Sequence, residues 1–347
     1  MGKHMTIRAL LMGALAVLAA GAALAQTPGL VTEEIAVQST DPRIRLYVRN
    51  KRPADMKTFR ANRTVLFIHG GTYPAETSFD LKLAGVSWMD YIAARGFDVY
   101  FVELRGYGRS GRPREMLENP GAHPPLVRGA AALDDISVTV ETVLARRKIA
   151  KLSLIGHDWG ATLAATYASR NPGRVERLVL YAPQWILREP ADISGGALGA
   201  YRLVTREEVR EQRSIGVPEA KKFEILPAGW FETFADATWA TDPLAAQSGQ
   251  PVMRVPNGAL QDMAESWAAG KPYYDPAKIT APTLLTVAEW DRDTPPYMAQ
   301  TLLALLVNSP ARRIVILPEG THDIFMERGR NGLLQAVQVF LEEQVKP

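Results

Sequence analysis

The segment 152–160 constrains the fold of this chain more than any other part of its sequence. An apolar run, 152–155, leads into the pattern Gly-x-Asp-x-Gly, and a helical pattern follows from Ala161. Where a strand turns sharply into a helix, the two approach too closely for side chains, so glycines are needed on both sides of the turn. Asp158, at its centre, is then held in a strained backbone conformation with its side chain exposed. An aspartate that only caps the helix is the alternative interpretation.

Strands and helices alternate through most of the chain. Apolar runs typical of strands occupy 35–38, 44–48, 64–68, 97–103, 152–155, 175–181, 283–287 and 314–317. Helical patterns occupy 86–95, 127–147, 161–170, 297–307 and 333–343. This alternation predicts an α/β fold in which helices flank a mostly parallel central sheet.

The segment 184–275 interrupts the alternation and is rich in aromatic residues, proline and glycine. We interpret it as a mainly helical lid, inserted over the edge of the sheet at the carboxyl ends of its strands. We therefore predict four parts: an export signal at 1–25, a first part of the core at 26–183, the lid at 184–275 and a second part of the core at 276–347.

The first 25 residues have the pattern of an export signal. Lys3 and Arg8 precede an uncharged, mostly apolar run that ends in the small-residue site Ala-Leu-Ala, so cleavage is expected before Gln26. The run 9–25 is at the short limit for a membrane-spanning helix. We expect an exported protein, periplasmic or secreted, with no stable membrane insertion after the signal is removed.

Composition excludes several classes of function. The chain has no cysteine, which excludes disulfides and thiolate metal sites. Its formal net charge of +3 falls to +1 without residues 1–25, and no basic stripe remains, so nucleic acid is not an expected partner. The five histidines show no paired ligand spacing, so no metal is expected. A Gly-x-Gly-x-x-Gly match at 106–111 is followed by prolines instead of a helix, so no dinucleotide or other cofactor is expected either.

An acid and a histidine follow two late strands. The run 283–287 leads to Asp291, with Asp293 as a reserve candidate, and the run 314–317 leads to His322. A lone histidine in a surface loop would carry no function. Here Asp158, the acid and the histidine each follow a strand of their own, in an order that suits a nucleophile, an orienting carboxylate and a base.

Four motifs together resemble the α/β-hydrolase superfamily: His-Gly at 69–70, Arg-Gly-Tyr-Gly-Arg-Ser at 105–110, Gly-His-Asp-Trp-Gly at 156–160 and Gly-Thr-His at 320–322. The run 157–160 is similar to the nucleophile turn of epoxide hydrolases and haloalkane dehalogenases. The resemblance implies a catalytic triad of Asp158, Asp291 and His322. It also implies an oxyanion hole formed by the backbone N–H groups of Gly71 and Trp159.

An aspartate nucleophile favours a particular chemistry. A free aspartate is ionised at neutral pH and can attack an sp³ carbon directly, which gives an alkyl-enzyme ester. His322, oriented by Asp291, would then activate water against that ester. Attack on a carboxylic ester would give a reactive anhydride instead, so epoxides and alkyl halides are the matching electrophiles. The expected partner is a small-molecule substrate, and a homodimer remains open.

The leaving group distinguishes the two electrophiles. Ring opening of an epoxide needs hydrogen-bond donors, and Tyr201, Tyr273 and Tyr274 of the lid are the candidates, with Trp267 as a further substrate-binding residue. A dehalogenase needs N–H donors around a halide, and the indole of Trp159 suits that role. Taken singly, each lid aromatic is more often a packing residue than a catalytic one. Gly71 and Thr72 depart from the asparagine and the proline that the resemblance leads us to expect there.

Two other interpretations stay open. The stretches 85–90 and 180–185 look as much like serine-type α/β-hydrolases, so Asp158 could stand where an esterase or lactonase has its serine. A ligand-binding protein without catalysis on the same fold is the alternative from another functional class, because a fold does not determine a function.

Overall fold

The computed structural model describes residues 29–189, 197–245 and 252–344, so the expected export signal lies outside the described residues. The strands are β1 (Leu30–Gln38), β2 (Arg45–Pro53), β3 (Thr64–Ile68), β4 (Asp98–Val102), β5 (Leu152–His157), β6 (Val175–Tyr181), β7 (Tyr201–Val204), β8 (Met253–Pro256), β9 (Thr283–Ala288) and β10 (Arg312–Leu317). Within these ranges, eight strands form one sheet in the order β1-β2-β4-β3-β5-β6-β9-β10, and β7 pairs with β8 separately.

The α-helices of the described ranges alternate with the strands. They are α1 (Ala75–Phe79), α2 (Trp88–Ala93), α3 (Gly129–Arg147), α4 (Trp159–Arg170), α5 (Arg206–Gln212), α6 (Trp230–Trp239), α7 (Gly258–Glu265), α8 (Pro296–Leu305) and α9 (Arg330–Glu342). None of the helices in the described part of the chain is long and apolar enough to cross a membrane.

The sheet is antiparallel at one edge and parallel elsewhere. β2 pairs antiparallel with β1 and with β4, whereas all the pairs from β4 to β10 are parallel. β3, β4 and β5 are buried along their whole length, as expected of strands covered by helices on both faces. This arrangement confirms the predicted α/β fold with a mostly parallel central sheet.

Register brings the carboxyl ends of the parallel strands to one edge. Ile68 at the end of β3 lies beside Gly156 of β5, and Gly156 lies beside Leu180 of β6. Ala288 at the end of β9 lies beside Leu317 at the end of β10. The loops that follow these strands are therefore neighbours, as in other open α/β sheets, where ligands bind at this edge.

The segment between β6 and β9 contains helices α5, α6 and α7 together with the two-stranded sheet of β7 and β8. The short sheet was not predicted, because an arginine interrupts the apolar pattern of each of its two strands. Thr205 and Glu208 form a capping box that starts α5 directly after β7. No comparison tests the predicted domain boundaries, which stay a prediction.

Several predicted elements differ in their bounds. The first two strands are longer than predicted. β1 and β2 pair along their whole length, so the pairing includes polar residues that lie outside the apolar runs. The helix predicted from 86 begins at Trp88, since Ser87 and Asp90 form a capping box. The helix predicted from 127 begins at Gly129, because Val127 has a φ of 58° and cannot belong to a right-handed helix.

Candidate active site

The turn between β5 and α4 has the strained geometry that its sequence requires. Asp158 adopts φ 54° and ψ −123°, an unusual conformation for a residue with a side chain. A Cβ on Gly156 would lie 2.3 Å from the carbonyl oxygen of Gly160, and a Cβ on Gly160 would lie 2.3 Å from that of His69. Only glycine fits at either position. The turn presents the Asp158 side chain at the edge of the sheet. Side chains at positions 156 and 160 would prevent this turn from forming.

Asp158, Asp291 and His322 come together at this edge. Nδ1 of His322 lies 3.0 Å from Oδ2 of Asp291, and Nε2 of His322 lies 3.7 Å from Oδ1 of Asp158. The Asp291 side chain is fully buried, whereas those of Asp158 and His322 are 18% and 16% exposed. The two groups that would meet a substrate and a water molecule are accessible, and the group that would only orient the histidine is not.

The charges around His322 control its protonation. Burial alone would lower the pKa of His322, but the hydrogen-bonded carboxylate of Asp291, together with the charges of Asp293 and Asp158, raises it well above its usual value. Asp291 accepts hydrogen bonds from the backbone N–H and the hydroxyl of Thr294, both at 2.7 Å. The reserve candidate, Asp293, makes no hydrogen bond with His322 in the described part of the chain. Asp291 therefore orients the histidine.

One oxygen of Asp158 already occupies the predicted oxyanion hole. The backbone N–H of Gly71 donates to Oδ2 of Asp158 at 3.0 Å. Trp159 is the first residue of α4, so its backbone N–H has no acceptor within the helix. The predicted donors, Gly71 and Trp159, thus lie beside the carboxylate.

Buried side chains hold the loop that carries Gly71. The hydroxyl of Tyr107 donates to the Gly71 carbonyl at 3.0 Å, which gives the Arg-Gly-Tyr-Gly motif a structural role. His69 accepts from the backbone N–H of Leu104 through Nε2 at 3.1 Å, and its Nδ1 lies 2.8 Å from the Gly70 carbonyl. Because burial lowers the pKa of His69 to about 4, the ring is neutral and can accept with one nitrogen while it donates with the other.

Sequence reasoning missed Gln184, which binds the other carboxylate oxygen. Nε2 of Gln184 donates to Oδ1 of Asp158 at 2.6 Å. The amide is oriented by Thr162, whose hydroxyl donates to Oε1 of Gln184 at 3.1 Å. Gln184 follows β6 by three residues, and a polar residue placed just beyond a buried strand was the available signal. Two neutral donors, Gly71 and Gln184, thus converge on the negative charge.

A family model described as "Alpha/beta hydrolase family" matches residues 65–334, well over half of the chain. This chain belongs to the alpha/beta hydrolase family. The match confirms the predicted superfamily, and the fold and the turn at Asp158 agree with it.

Relatives of this α/β-hydrolase are named for several different activities. "Probable lysophospholipase BODYGUARD 2" from Arabidopsis thaliana is 27% identical over 181 residues, which cover 52% of this chain and 34% of the relative. "Epoxide hydrolase 3" from Siraitia grosvenorii is 31% identical over 103 residues, which cover 29% of this chain and 28% of the relative. The matched part therefore spans about a third or less of the length of these curated relatives.

Solved structures share the fold. An esterase from Thermogutta terrifontis superposes with a TM-score of 0.60 at 18% identity, covering 89% of this chain and 98% of the esterase. An epoxide hydrolase from Vigna radiata superposes with a TM-score of 0.57 at 15% identity, covering 90% of this chain and 98% of that enzyme. Identities this low show a common fold and do not distinguish the two activities.

The indole of Trp159 is not free in this α/β-hydrolase. Its Nε1 donates to Oδ2 of Asp262 at 3.3 Å, and the same oxygen accepts from the backbone N–H of Gly129 at 2.7 Å. Arg128 donates to the other oxygen of Asp262 at 2.6 Å. The expectation that this indole would bind a halide is therefore wrong, because a buried carboxylate from the lid already accepts its hydrogen.

The predicted lid residues do not converge on the triad. The hydroxyl of Tyr201 donates to the backbone carbonyl of Glu118 at 2.9 Å. Tyr273 and Tyr274 line a pocket of about 830 Å³ whose lining residues include neither Asp158 nor His322. Trp267 is buried and its ring packs against that of Tyr273. The proposed role of these tyrosines as donors to an epoxide oxygen is thus not supported by their positions.

Arg202 of β7 is a lid side chain that reaches the loop of Gly71 and Thr72, the oxyanion loop. Its Nη2 donates to the hydroxyl of Thr72 at 2.9 Å and to the carbonyl of Gly71 at 3.4 Å. Nothing in the sequence singled it out, because the lid has no regular pattern. Elsewhere in the described ranges, no group of three histidine, aspartate or glutamate side chains is arranged to hold a metal ion.

Proposed function

We propose that this chain hydrolyses an electrophile at an sp³ carbon, in the first place an epoxide, through a covalent ester on Asp158. The observation that supports this most is the placement of the two carboxylate oxygens. Oδ2 accepts the backbone N–H of Gly71, whereas Oδ1 faces His322 across 3.7 Å. One oxygen is thus held where an oxyanion would form, and the other is placed to attack.

In the first step, Oδ1 of Asp158 attacks a ring carbon and the carbon–oxygen bond of the epoxide breaks. The electron pair stays on the epoxide oxygen, which takes up a proton from water. The product is a neutral ester of Asp158 in which the carbonyl oxygen remains beside the backbone N–H of Gly71. No proton needs to leave the nucleophile, unlike in a serine enzyme.

The second step depends on the charge that the first step removes. The negative charge of Asp158 is one of the groups that raise the pKa of His322. Formation of the ester neutralises that charge, so the pKa of His322 falls and the imidazolium gives its proton to the hydroxide that the first step leaves.

The neutral ring then accepts a proton from the water that attacks the ester carbonyl. The N–H groups of Gly71 and Trp159 stabilise the resulting oxyanion, each by roughly 3 kcal/mol in comparable sites. When the tetrahedral intermediate collapses, the ester carbon–oxygen bond breaks and the leaving diol oxygen takes the proton from His322. The carboxyl group of Asp158 then returns its own proton to His322, which restores the starting charges.

The test is to trap the ester. His322→Gln is incubated with styrene oxide, 1-bromobutane or p-nitrophenyl butyrate, and intact mass is measured. The proposal expects an adduct with the epoxide, located on Asp158 by peptide mapping and absent from the double variant Asp158→Asn, His322→Gln. A dehalogenase would give the adduct with the bromoalkane alone. No adduct with either sp³ electrophile would refute the aspartate mechanism.

An esterase scaffold is the second candidate, because curated relatives are named as probable lysophospholipases and a solved esterase shares the fold. In that case Asp158 occupies the position of a serine nucleophile. Asp158→Ser should then hydrolyse p-nitrophenyl butyrate at least about 100-fold faster than the unmodified chain. A chain that neither forms an adduct nor gains esterase activity would fit a ligand-binding protein.

We also propose that the chain is exported after removal of residues 1–25. The proposal rests on the basic residues, the apolar run and the small-residue site of that segment. Sequencing the amino terminus of the protein from the periplasm or the medium should find Gln26 first. Recovery of the uncleaved chain only from the cytosol would refute it.

A further inference from the structure

Arg202 approaches the site without an acidic partner. In the described part of the chain, its hydrogen bonds go only to neutral acceptors: the hydroxyl of Thr72 at 2.9 Å, and the oxygens of Pro256, Asn257 and Gly71 at 3.3 to 3.4 Å. Three of these four contacts are long for hydrogen bonds. Both Nη nitrogens therefore have neutral acceptors, and only the contact with Thr72 is short.

Two largely buried arginines of the described ranges have carboxylate partners, whereas two others, Arg177 and Arg330, bind only backbone carbonyls. Arg147 binds Asp98 at 2.7 Å, and Arg254 binds Asp242 through two of its nitrogens. Burying a guanidinium is costly unless a charged partner compensates it. Arg202, which is half-buried beside the site, makes no hydrogen bond to a carboxylate in the described ranges, and removal of water lowers its pKa.

The carboxylate that acts electrostatically on Arg202 is that of Asp158 itself. The two residues share Gly71, since the backbone N–H of Gly71 donates to Asp158 and its carbonyl accepts from Arg202. Once an ester forms, Asp158 is neutral and Arg202 loses its counter-charge. A negative group on the substrate would replace the lost counter-charge of Arg202 while the ester is bound and hydrolysed.

We propose that Arg202 determines specificity by binding a carboxylate on the substrate, so that the preferred electrophile is an epoxide bearing an acid group. This inference rests on the proposed function. A planar guanidinium fits a carboxylate with two parallel hydrogen bonds, and Arg202 comes from the lid side of the site. The acid group would lie against Arg202 and Thr72, and the ring carbon would face Oδ1 of Asp158. Thr72, which stands where the resemblance leads us to expect a proline, has its hydroxyl in place to share this contact.

The test compares two substrates that differ only in charge: 3-phenylglycidate and its primary amide. We expect the unmodified chain to prefer the acid in kcat/KM. Arg202→Met should lower kcat/KM for the acid at least about 30-fold, the usual loss when one partner of a buried charge pair is removed, and for the amide less than about threefold. Arg202→Lys should recover part of the preference. Arg210→Met is the matched control, since Arg210 pairs with Glu232 on the lid surface and its removal changes net charge equally.

An equal loss for both substrates in Arg202→Met would overturn the inference, because it would mean that Arg202 only supports the oxyanion loop. The absence of any preference in the unmodified chain would overturn it too. Calorimetric binding of the product acid, 2,3-dihydroxy-3-phenylpropanoate, and of its amide separates this inference from the proposed function. Tighter binding of the acid that is lost in Arg202→Met supports the inference even where no epoxide is turned over. Equal binding of acid and amide refutes it.

Discussion

Replacement of Gly160 by alanine should damage stability and catalysis together. A Cβ at this position would lie 2.3 Å from the carbonyl oxygen of His69 and 2.4 Å from that of Ile68. Both are backbone atoms at the end of a buried strand, so no side chain can move aside. To reach ordinary contact distance, α4 and β3 would have to separate by about 1 Å.

The magnitude follows from this displacement. Forced overpacking of a buried site costs about 1–3 kcal/mol, so the free energy of unfolding should fall by that amount. The displaced strand leads into the loop of Gly71, whose backbone N–H lies 3.0 Å from Asp158. A shift of about 1 Å in a catalytic group can lower turnover about 100-fold. Gly160→Ala should therefore lower both the free energy of unfolding and the turnover, although the new methyl group lies between α4 and β3.

The assay is urea unfolding followed by tryptophan fluorescence, together with steady-state turnover of styrene oxide. Gly173→Ala is the control, since no heavy atom lies within 4 Å of its new Cβ and its φ is not positive. The control should stay within about 0.5 kcal/mol of the unmodified chain. If Gly160→Ala unfolds at the same urea concentration as the control, the close approach of strand and helix does not constrain the turn, and this reasoning is refuted.

Three further predictions concern groups around the triad. Asp291→Asn should lower the pKa of His322, measured by NMR titration of the imidazole, and an unchanged titration would contradict this. The same variant should slow turnover about 10⁴-fold, as loss of the orienting carboxylate does in a serine triad. Burial raises the pKa of Glu327 to about 7, so its protonated form stabilises the fold at low pH, and about 3 kcal/mol should be lost as pH rises from about 4.5 to 7. Glu327→Gln should remove that part of the pH dependence in urea unfolding, and an identical pH profile would show the assignment to be wrong. Tyr107→Phe removes one hydrogen bond to the Gly71 carbonyl and should cost about 1 kcal/mol in urea unfolding with less than a tenfold loss of turnover, whereas no loss of stability would rule out that bond.

The residues that sequence reasoning could place were those fixed by local geometry. The glycines around Asp158 reflect a strand and a helix in direct contact, and that requirement is written into five consecutive residues. Asp291 and His322 could be placed because each follows a strand, and the carboxyl ends of parallel strands meet at one edge. Once the parallel sheet was recognised, a residue that directly follows a strand could be placed at that edge of the sheet.

The lid could not be placed in this way. Tyr201, Tyr273 and Tyr274 were expected near the nucleophile, and the structure directs them elsewhere. Arg202, which no pattern marked, reaches the oxyanion loop instead. The direction of a lid side chain depends on how short helices and a two-stranded sheet pack over the core, and neighbours in the sequence do not determine that packing.

The turn at Asp158 shows which features the sequence determines and which depend on the tertiary structure. The sequence alone determined that a strained aspartate stands between β5 and α4, because glycine is required wherever two backbones come that close. Only the tertiary structure decided which partner meets which oxygen: the backbone N–H of Gly71 binds one, whereas Gln184, which the sequence did not indicate, and His322 face the other. These partners come from loops far apart in the chain, and their directions are set by packing and hydrogen bonds that form only when the sheet and the lid are assembled.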